Sequence, residues 1–341
     1  MLTTELIEHV LATIPNRTVG VLGDLFLDRY LDIDAARNEP SVETGLTAYQ
    51  VTRVRAYPGA AGTVMNNLAA LGVGRIYPIA YIGDDGEGYE LRQALKLLPG
   101  VEQGGIFSVP DRRTPTYTKP MLHENGTAKE LNRLDIKNRV PTAPHVEEHI
   151  IKLLDEAWPQ LDALIVLDQV SEVDCGVVTK CLRDHLAELG ARNPEKFVLA
   201  DSREQIGLFR NVCVKPNMEE ALNAMTRDRH MKSLEVHGLS VKVGGPVFCT
   251  RGPDGILLSL AQEGPGAPRL IPSYPVTGPI DICGAGDSTS AGITSAMVSG
   301  LTHEQAAAFG NLVASITIQQ IGVTGTAPPD KVRARWREVN G

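Results

Sequence analysis

Short, continuous apolar runs alternate along this chain with longer stretches in which apolar positions recur every three or four residues. Thr18–Gly23 reads as a first buried strand and residues 60–71 as a helix, followed by a strand at 75–81 and a helix at 86–98. Further on, 163–167, 197–200 and 212–214 read as short strands, with helices at 174–189 and 218–225 among them. This alternation predicts an α/β fold, a doubly wound and mostly parallel sheet flanked by helices on both faces. In such sheets ligands bind beyond the carboxyl ends of the strands.

Two segments break the rhythm. Residues 25–57 carry few helical signals and end in a β-rich run from Gln50 to Arg55, while residues 105–135 contain Thr114-Pro115-Thr116-Tyr117-Thr118 and Leu131-Asn132-Arg133-Leu134. Both are expected to form strands of a small second sheet, a lid over the carboxyl edge of a single domain spanning 1–341; long surface loops are the alternative. At 341 residues, one large domain with an appendage fits as well as two domains.

Composition narrows the class. Hydrophobic residues at 43% and charged residues at 22% are ordinary for a globular protein, and a net charge of −8 argues against nucleic acid as the main partner. The five cysteines form no CxxC pair, so no disulfide framework or structural zinc site is expected. The amino terminus reads as an amphipathic helix without signal-peptide character, and no apolar run is long enough to span a membrane. A cytoplasmic location is the expectation.

The chemistry concentrates in Asp281-Ile282-Cys283-Gly284-Ala285-Gly286-Asp287, running into Ser288-Thr289-Ser290-Ala291-Gly292. A glycine turn opening a helix lets main-chain N–H groups approach a ligand, and the helix start adds partial positive charge, so Gly284, Ala285 and Gly286 form an anion site. A carboxylate on its rim repels phosphate. Asp287 therefore makes sense as a base that takes a proton from a hydroxyl attacking phosphorus. Asn217 and Glu220, at i and i+3 around a helix start, suit a hydrated magnesium ion held largely through waters, and suit a capping box equally. Thr250-Arg251-Gly252-Pro253-Asp254-Gly255 offers a hydroxyl and backbone groups to phosphates, or is a hairpin turn. Asp24, at the end of the first strand, can accept sugar hydroxyls. No GxxxxGK[ST] loop and no complete GxGxxG is present, and His145 and His149 lie in HVEEH rather than HExxH.

Taken together, DxxGAGD near the carboxyl end, NxxE in the middle, TxGxxG between them, GD after the first strand and a glycine-rich helix start near residue 60 resemble the ribokinase/PfkB carbohydrate kinase family over essentially the whole chain. The segments VLGDLFLDRY, PGAAGTVMNNLAALG and Asn132-Arg133-Leu134-Asp135 are most similar to its heptose-7-phosphate kinase subgroup, although the HxGH motif of a nucleotidyltransferase half is not found.

The resemblance implies an ATP-dependent kinase with Mg2+, and a monovalent cation such as K+ as a further candidate. It makes Asp287 the base, gives Asn217 and Glu220 to magnesium and its waters, and places Thr250, Gly252, Gly255, Asp281 and Asn311 on the ATP side. Asp24, Asp28, Gly59, Ala60 and Thr63 would face the sugar, and Lys119 and Arg133 are the first choices for a phosphate already on it. Two departures stand out, since the family usually has a second glycine at Ala60 and an asparagine at Thr63. The expected acceptor is a sugar or sugar phosphate; a kinase for a simple hexose, ribose or nucleoside, and an inactive regulator, are the alternatives. Neither nucleic acid nor a membrane is expected as a partner, and a homodimer through the lid is an arrangement such a sheet allows.

Overall fold

The structure, a computed structural model, describes residues 2–225, 232–263 and 268–340. A nine-stranded sheet runs Arg269–Ile271, Ile256–Ser259, Val247–Thr250, Cys213–Val214, Phe197–Ser202, Ala163–Asp168, Thr18–Gly23, Arg75–Gly83, Ile106–Val109. Its strands pair in parallel from Val247–Thr250 to Ile106–Val109, and the remaining two join antiparallel at one edge. The central strands are buried almost throughout because helices cover the sheet, which is why they read as unbroken apolar runs.

Helix starts follow local polar chemistry. Asp85 caps Gly86–Leu95 through the N–H of Gly88, and Thr302 with Gln305 forms a capping box on His303–Thr317. The helix expected over 174–189 is instead Lys180–Arg192. Asp174 adopts φ 53°, its carboxylate accepts from the N–H of Lys180 at 2.7 Å, and Thr179 caps the helix, so 174–179 form a turn. Helix Ala61–Leu71 begins one residue later than expected, because Ala60 sits at φ 53°.

The two interruptions meet in one small sheet of order Leu134–Ile136, Thr116–Glu124, Leu25–Asp34, Val51–Ala60, with Thr127–Glu130 on Thr116–Glu124. It grows out of the carboxyl edge of the central sheet, since Leu25–Asp34 follows Thr18–Gly23 after one residue and Val51–Ala60 runs straight into a helix. One boundary is corrected. Ile106–Val109 pairs in parallel with Arg75–Gly83, where Ile106 and Val109 are buried in the main core, so the second interruption joins the small sheet only from Thr116. No helix among the described residues is long and apolar enough to cross a membrane.

Candidate active site

The turn before helix Ala285–Met297 is built as its glycines require. Gly284 has φ 76°, and a Cβ there would lie 2.6 Å from Thr324 Cγ2 and 3.4 Å from Thr63 Cγ2, so a larger residue would be both strained and crowded. Of the helix's first-turn N–H groups, that of Ala285 turns back to Ile282 O at 3.1 Å and that of Ser288 donates to Gly284 O at 2.9 Å, so those of Gly286 and Asp287 are the ones left without an intrahelical acceptor. Its next turns, Ser288 to Gly292, are buried, and Gly292 packs against Gly310 of His303–Thr317. Small residues thus let two helices close tightly behind the turn.

Asp287 lies on that first turn. Burial pushes its carboxyl up to about 7, nearby Asp201 adds to the rise, and Lys215 and Arg203 pull against it. A carboxyl titrating near neutrality is suited to accepting a proton at cellular pH. Lys215 is only 3% exposed. Its ammonium stands 2.8 Å from Asp201 Oδ2 and 3.5 Å from the point where a Cβ on Gly286 would be. Burial works against its charge, but Asp201, with Glu220 and Asp287, holds it above the ordinary lysine range.

Asn217 and Glu220 form the reciprocal capping box, with Asn217 Oδ1 accepting from Glu220 N at 2.9 Å and Glu220 Oε2 accepting from Asn217 N at 2.7 Å. One carboxylate oxygen of Glu220 stays out of the box, so capping does not exhaust the group. Desolvation pushes Glu220 up to about 7, with Asp201 adding and Lys215 opposing. Few protein oxygens at such a position fit a magnesium ion that keeps its waters, and a cation there would restore the ionised form. Thr250 is brought beside Asn217 by a parallel bridge and a 2.9 Å hydrogen bond from its N–H to Pro216 O.

A cavity of about 560 Å³ collects Thr250, Gly252, Gly255 and Asn311 with Ala285 and Gly286 of the turn. Asn311 does not offer its amide N–H groups to this space, because Nδ2 donates to Ile271 O and Pro272 O at 3.0 Å each. Asp281 ties two loops together, accepting from the N–H groups of Cys283 and Gly322, each at 3.0 Å.

A second cavity of about 310 Å³ is lined by Asp28, Tyr30, Arg55, Tyr57, Thr63 and Thr324 among others, the last two being the residues Gly284 abuts. Gly59 is required there, since a Cβ would stand 2.5 Å from Asp28 Oδ2. Lys119 and Arg133 are both engaged internally. Lys119 Nζ lies 3.1 Å from Asp28 Oδ1 and 3.2 Å from the Tyr30 hydroxyl, and Arg133 pairs with Asp135 through two nitrogens while stacking on Tyr117 at 4.3 Å.

Asp24 corrects the expectation of a sugar ligand. It is 3% exposed, and its oxygens accept from the N–H groups of Gln169, Val170 and Val177 at 2.7–3.1 Å. Burial pushes this carboxyl up while the three amides pull it back. It pins the loop after Ala163–Asp168 to the end of Thr18–Gly23, and Asp28 is the carboxylate that reaches the cavity.

Three charged residues went unnoticed in the sequence: Asp201, Lys215 and Arg203. Lys215 is announced only as the residue before Pro216-Asn217, a lysine directly after the buried strand Cys213–Val214 at the sheet's carboxyl edge. Arg203 follows Phe197–Ser202, bonds Gln169 Oε1 at 2.8 Å, and has no carboxylate partner among the ion pairs of the described residues.

The chain matches the pfkB family carbohydrate kinases over residues 25–330. It is 25% identical over 327 residues to the bifunctional protein HldE of Gluconobacter oxydans, covering 94% of this chain, and 27% identical over 340 residues to that of Pelobacter propionicus, covering 96%. It spans 65% of the length of each. Arabidopsis thaliana ribokinase, solved with ribose and ATP, superposes with a TM-score of 0.66 at 17% identity, covering 94% of this chain and 98% of that one. A putative ribokinase II from E. coli, solved with ATP and Mg2+, gives 0.64 at 16%, covering 94% and 99%. At these identities the likeness establishes a ribokinase-like fold, and the family match takes in Asp28, Asn217, Glu220, Thr250, Asp287 and Asn311 alike. The chain belongs to the pfkB family of carbohydrate kinases.

Proposed function

We propose that the chain transfers the γ-phosphoryl group of ATP, with Mg2+, to a hydroxyl of a phosphorylated sugar, with a heptose 7-phosphate as the leading substrate. The observation that carries this is a glycine turn whose Ala285 and Gly286 line the larger cavity and whose Gly284 abuts Thr63 and Thr324 of the smaller one, followed at once by a carboxyl that titrates near neutrality. Nucleotide phosphates entering from the Thr250–Asn311 side would end at the turn. Sugar hydroxyls would be read by Asp28, with Thr63 offering one hydroxyl where an amide would offer more. Asp287 takes the proton of the attacking hydroxyl, the new bond forms from that oxygen to the γ-phosphorus, and the bond to the β–γ bridging oxygen breaks to release ADP. The turn's N–H groups and the Lys215 ammonium face the charge on the moving phosphoryl. Asn217 and the free oxygen of Glu220 would hold a magnesium ion through its waters, which neutralises phosphate charge when bound. Asp281, joining two loops beside the site, is the residue we assign to a K+-type cation requirement.

A second reading, a simple-sugar or nucleoside kinase, is favoured by one observation: Lys119 and Arg133 are already neutralised by Asp28 and Asp135. A catalytically inert binder is disfavoured by the placement and titration of Asp287. The test is ATP consumption against a panel of sugars, each paired with its phosphate ester and including a heptose 7-phosphate. The proposal expects the phosphate esters to be preferred. Preference for the unphosphorylated partners selects the second reading, and Mg2+-dependent ATP binding without turnover on any sugar selects the inert binder.

A further inference from the structure

The wall of the larger cavity formed by Ser273, Tyr274, Pro275 and Val276 has no regular secondary structure. Prolines at 272, 275 and 279 remove N–H donors, so strand pairing cannot hold this stretch in place. It is held from behind by side chains of the last two helices. Asn311 of His303–Thr317 takes the carbonyls of Ile271 and Pro272. Arg335 of Pro329–Asn340 donates from Nη2 to the carbonyl of Pro275 and from Nε to Ser315 Oγ at 3.1 Å. Trp336, its neighbour, meets the Tyr274 ring edge-on at 6.2 Å and anchors its own Nε1 on Thr4 Oγ1 at 2.9 Å.

Arg335 is the unusual member of this set. It is 6% exposed, and its one carboxylate partner, Glu338, is largely exposed on the same helix. Burying a guanidinium is costly unless its donors are used. Here two of them reach Pro275 and Ser315, both of which line the cavity, so a single side chain cross-links two of its walls from outside.

We propose that Arg335 is a positioning residue for the nucleotide, fixing the Pro275 wall at the spacing a nucleotide needs without touching it. This rests on reading that cavity as the nucleotide site. Pre-set walls raise affinity by reducing what must be ordered on binding.

The test titrates the full chain with MgATP and, separately, with the preferred sugar, for wild type, Arg335→Lys and Arg335→Met, with melting curves alongside. Arg335→Met is expected to weaken MgATP about tenfold, the equivalent of one charged hydrogen bond. Sugar affinity should stay within about twofold, and turnover at saturating ATP should be kept. Arg335→Lys, which can reach Pro275 but not Ser315 as well, should fall between, and it carries the test if Arg335→Met does not fold. A merely structural role would lower the melting temperature while leaving affinity per folded molecule unchanged, or weaken both ligands alike; either result overturns the inference. A wild type that binds no nucleotide overturns the reading of the cavity, and the inference with it. A wild type that binds MgATP, with both variants as tight, overturns the inference alone.

Discussion

Asp287, Glu220 and Lys215 place three buried or half-buried charges within one another's influence, and each is perturbed by burial. Replacing Asp287 by Asn keeps the shape and removes the proton acceptor, so turnover should fall by roughly 10²-fold or more with MgATP binding kept, as initial rates and titration would report. The same change should stabilise the fold at alkaline pH. The Asp287 carboxyl is raised to about 7, so the folded state holds a proton the unfolded chain releases near pH 4. Ionising it opposes folding, and stability falls as pH rises through that window. Asp287→Asn should therefore melt above wild type at pH 8 and level with it near pH 4. Lys215→Met removes a charge that lowers the Asp287 carboxyl, so the acidic limb of kcat/KM should move to higher pH. In the Lys215→Met, Asp201→Asn pair the loss of Asp201, which raises the same carboxyl, should bring the limb back toward lower pH; a limb that stays in place in Lys215→Met alone would remove Lys215 from the phosphoryl site's electrostatics. Ala60, at φ 53° and ψ −116°, carries strain in a conformation that favours glycine. Ala60→Gly should stabilise by about 1 kcal/mol, the strain relieved less glycine's entropy, in denaturant melts. The glycine turn that opens Ala285–Met297 is legible in the sequence because its residues are contiguous. The burial of Asp24 is not legible because its three partners lie 145, 146 and 153 residues away, where no local pattern can announce them.

At the scale of elements, periodicity gives most strands of the parallel sheet and the helices Ala61–Leu71, Gly86–Leu95 and Met218–Ala224, but not Lys232–Val243, His303–Thr317 or Pro329–Asn340; buried strands and amphipathic helices write themselves into consecutive residues where the apolar pattern is regular. Ile106–Val109 was assigned to the wrong sheet because a four-residue apolar strand does not say which edge it will join. Lys180–Arg192 starts later than expected because 174–179, Asp-Cys-Gly-Val-Val-Thr, is poor in helix formers and serves the Asp24 carboxylate through Val177. The small sheet yields its own prediction. If Leu25–Asp34, Val51–Ala60 and Thr116–Glu124 close on a bound sugar, its presence should slow amide exchange there more than in Lys180–Arg192, which lies outside the proposed site. Uniform protection, or none in the small sheet, would make it a fixed appendage. Val42, Leu46, Val51 and Val54 are exposed on its strands and loops. We propose that a second copy covers them; sedimentation should give a dimer, shifted toward monomer by Val54→Asp.

For the molecule as a whole, a chain of net charge −8 brings opposite charges together where its two sheets meet, with Lys215 and Arg203 beside Asp287 at the carboxyl edge of the central sheet and Lys119 on Asp28 in the small sheet. Neither length nor composition reveals this, because it depends on which strand ends the fold brings together. The account stands on phosphoryl transfer across Asp287, and the most direct measurement follows label from γ-labelled ATP into a sugar product, with Mg2+, in wild type and Asp287→Asn at equal nucleotide saturation. The account predicts labelled sugar phosphate from wild type and at least about a hundredfold less from the variant. Transfer by Asp287→Asn at near wild-type rate would contradict it.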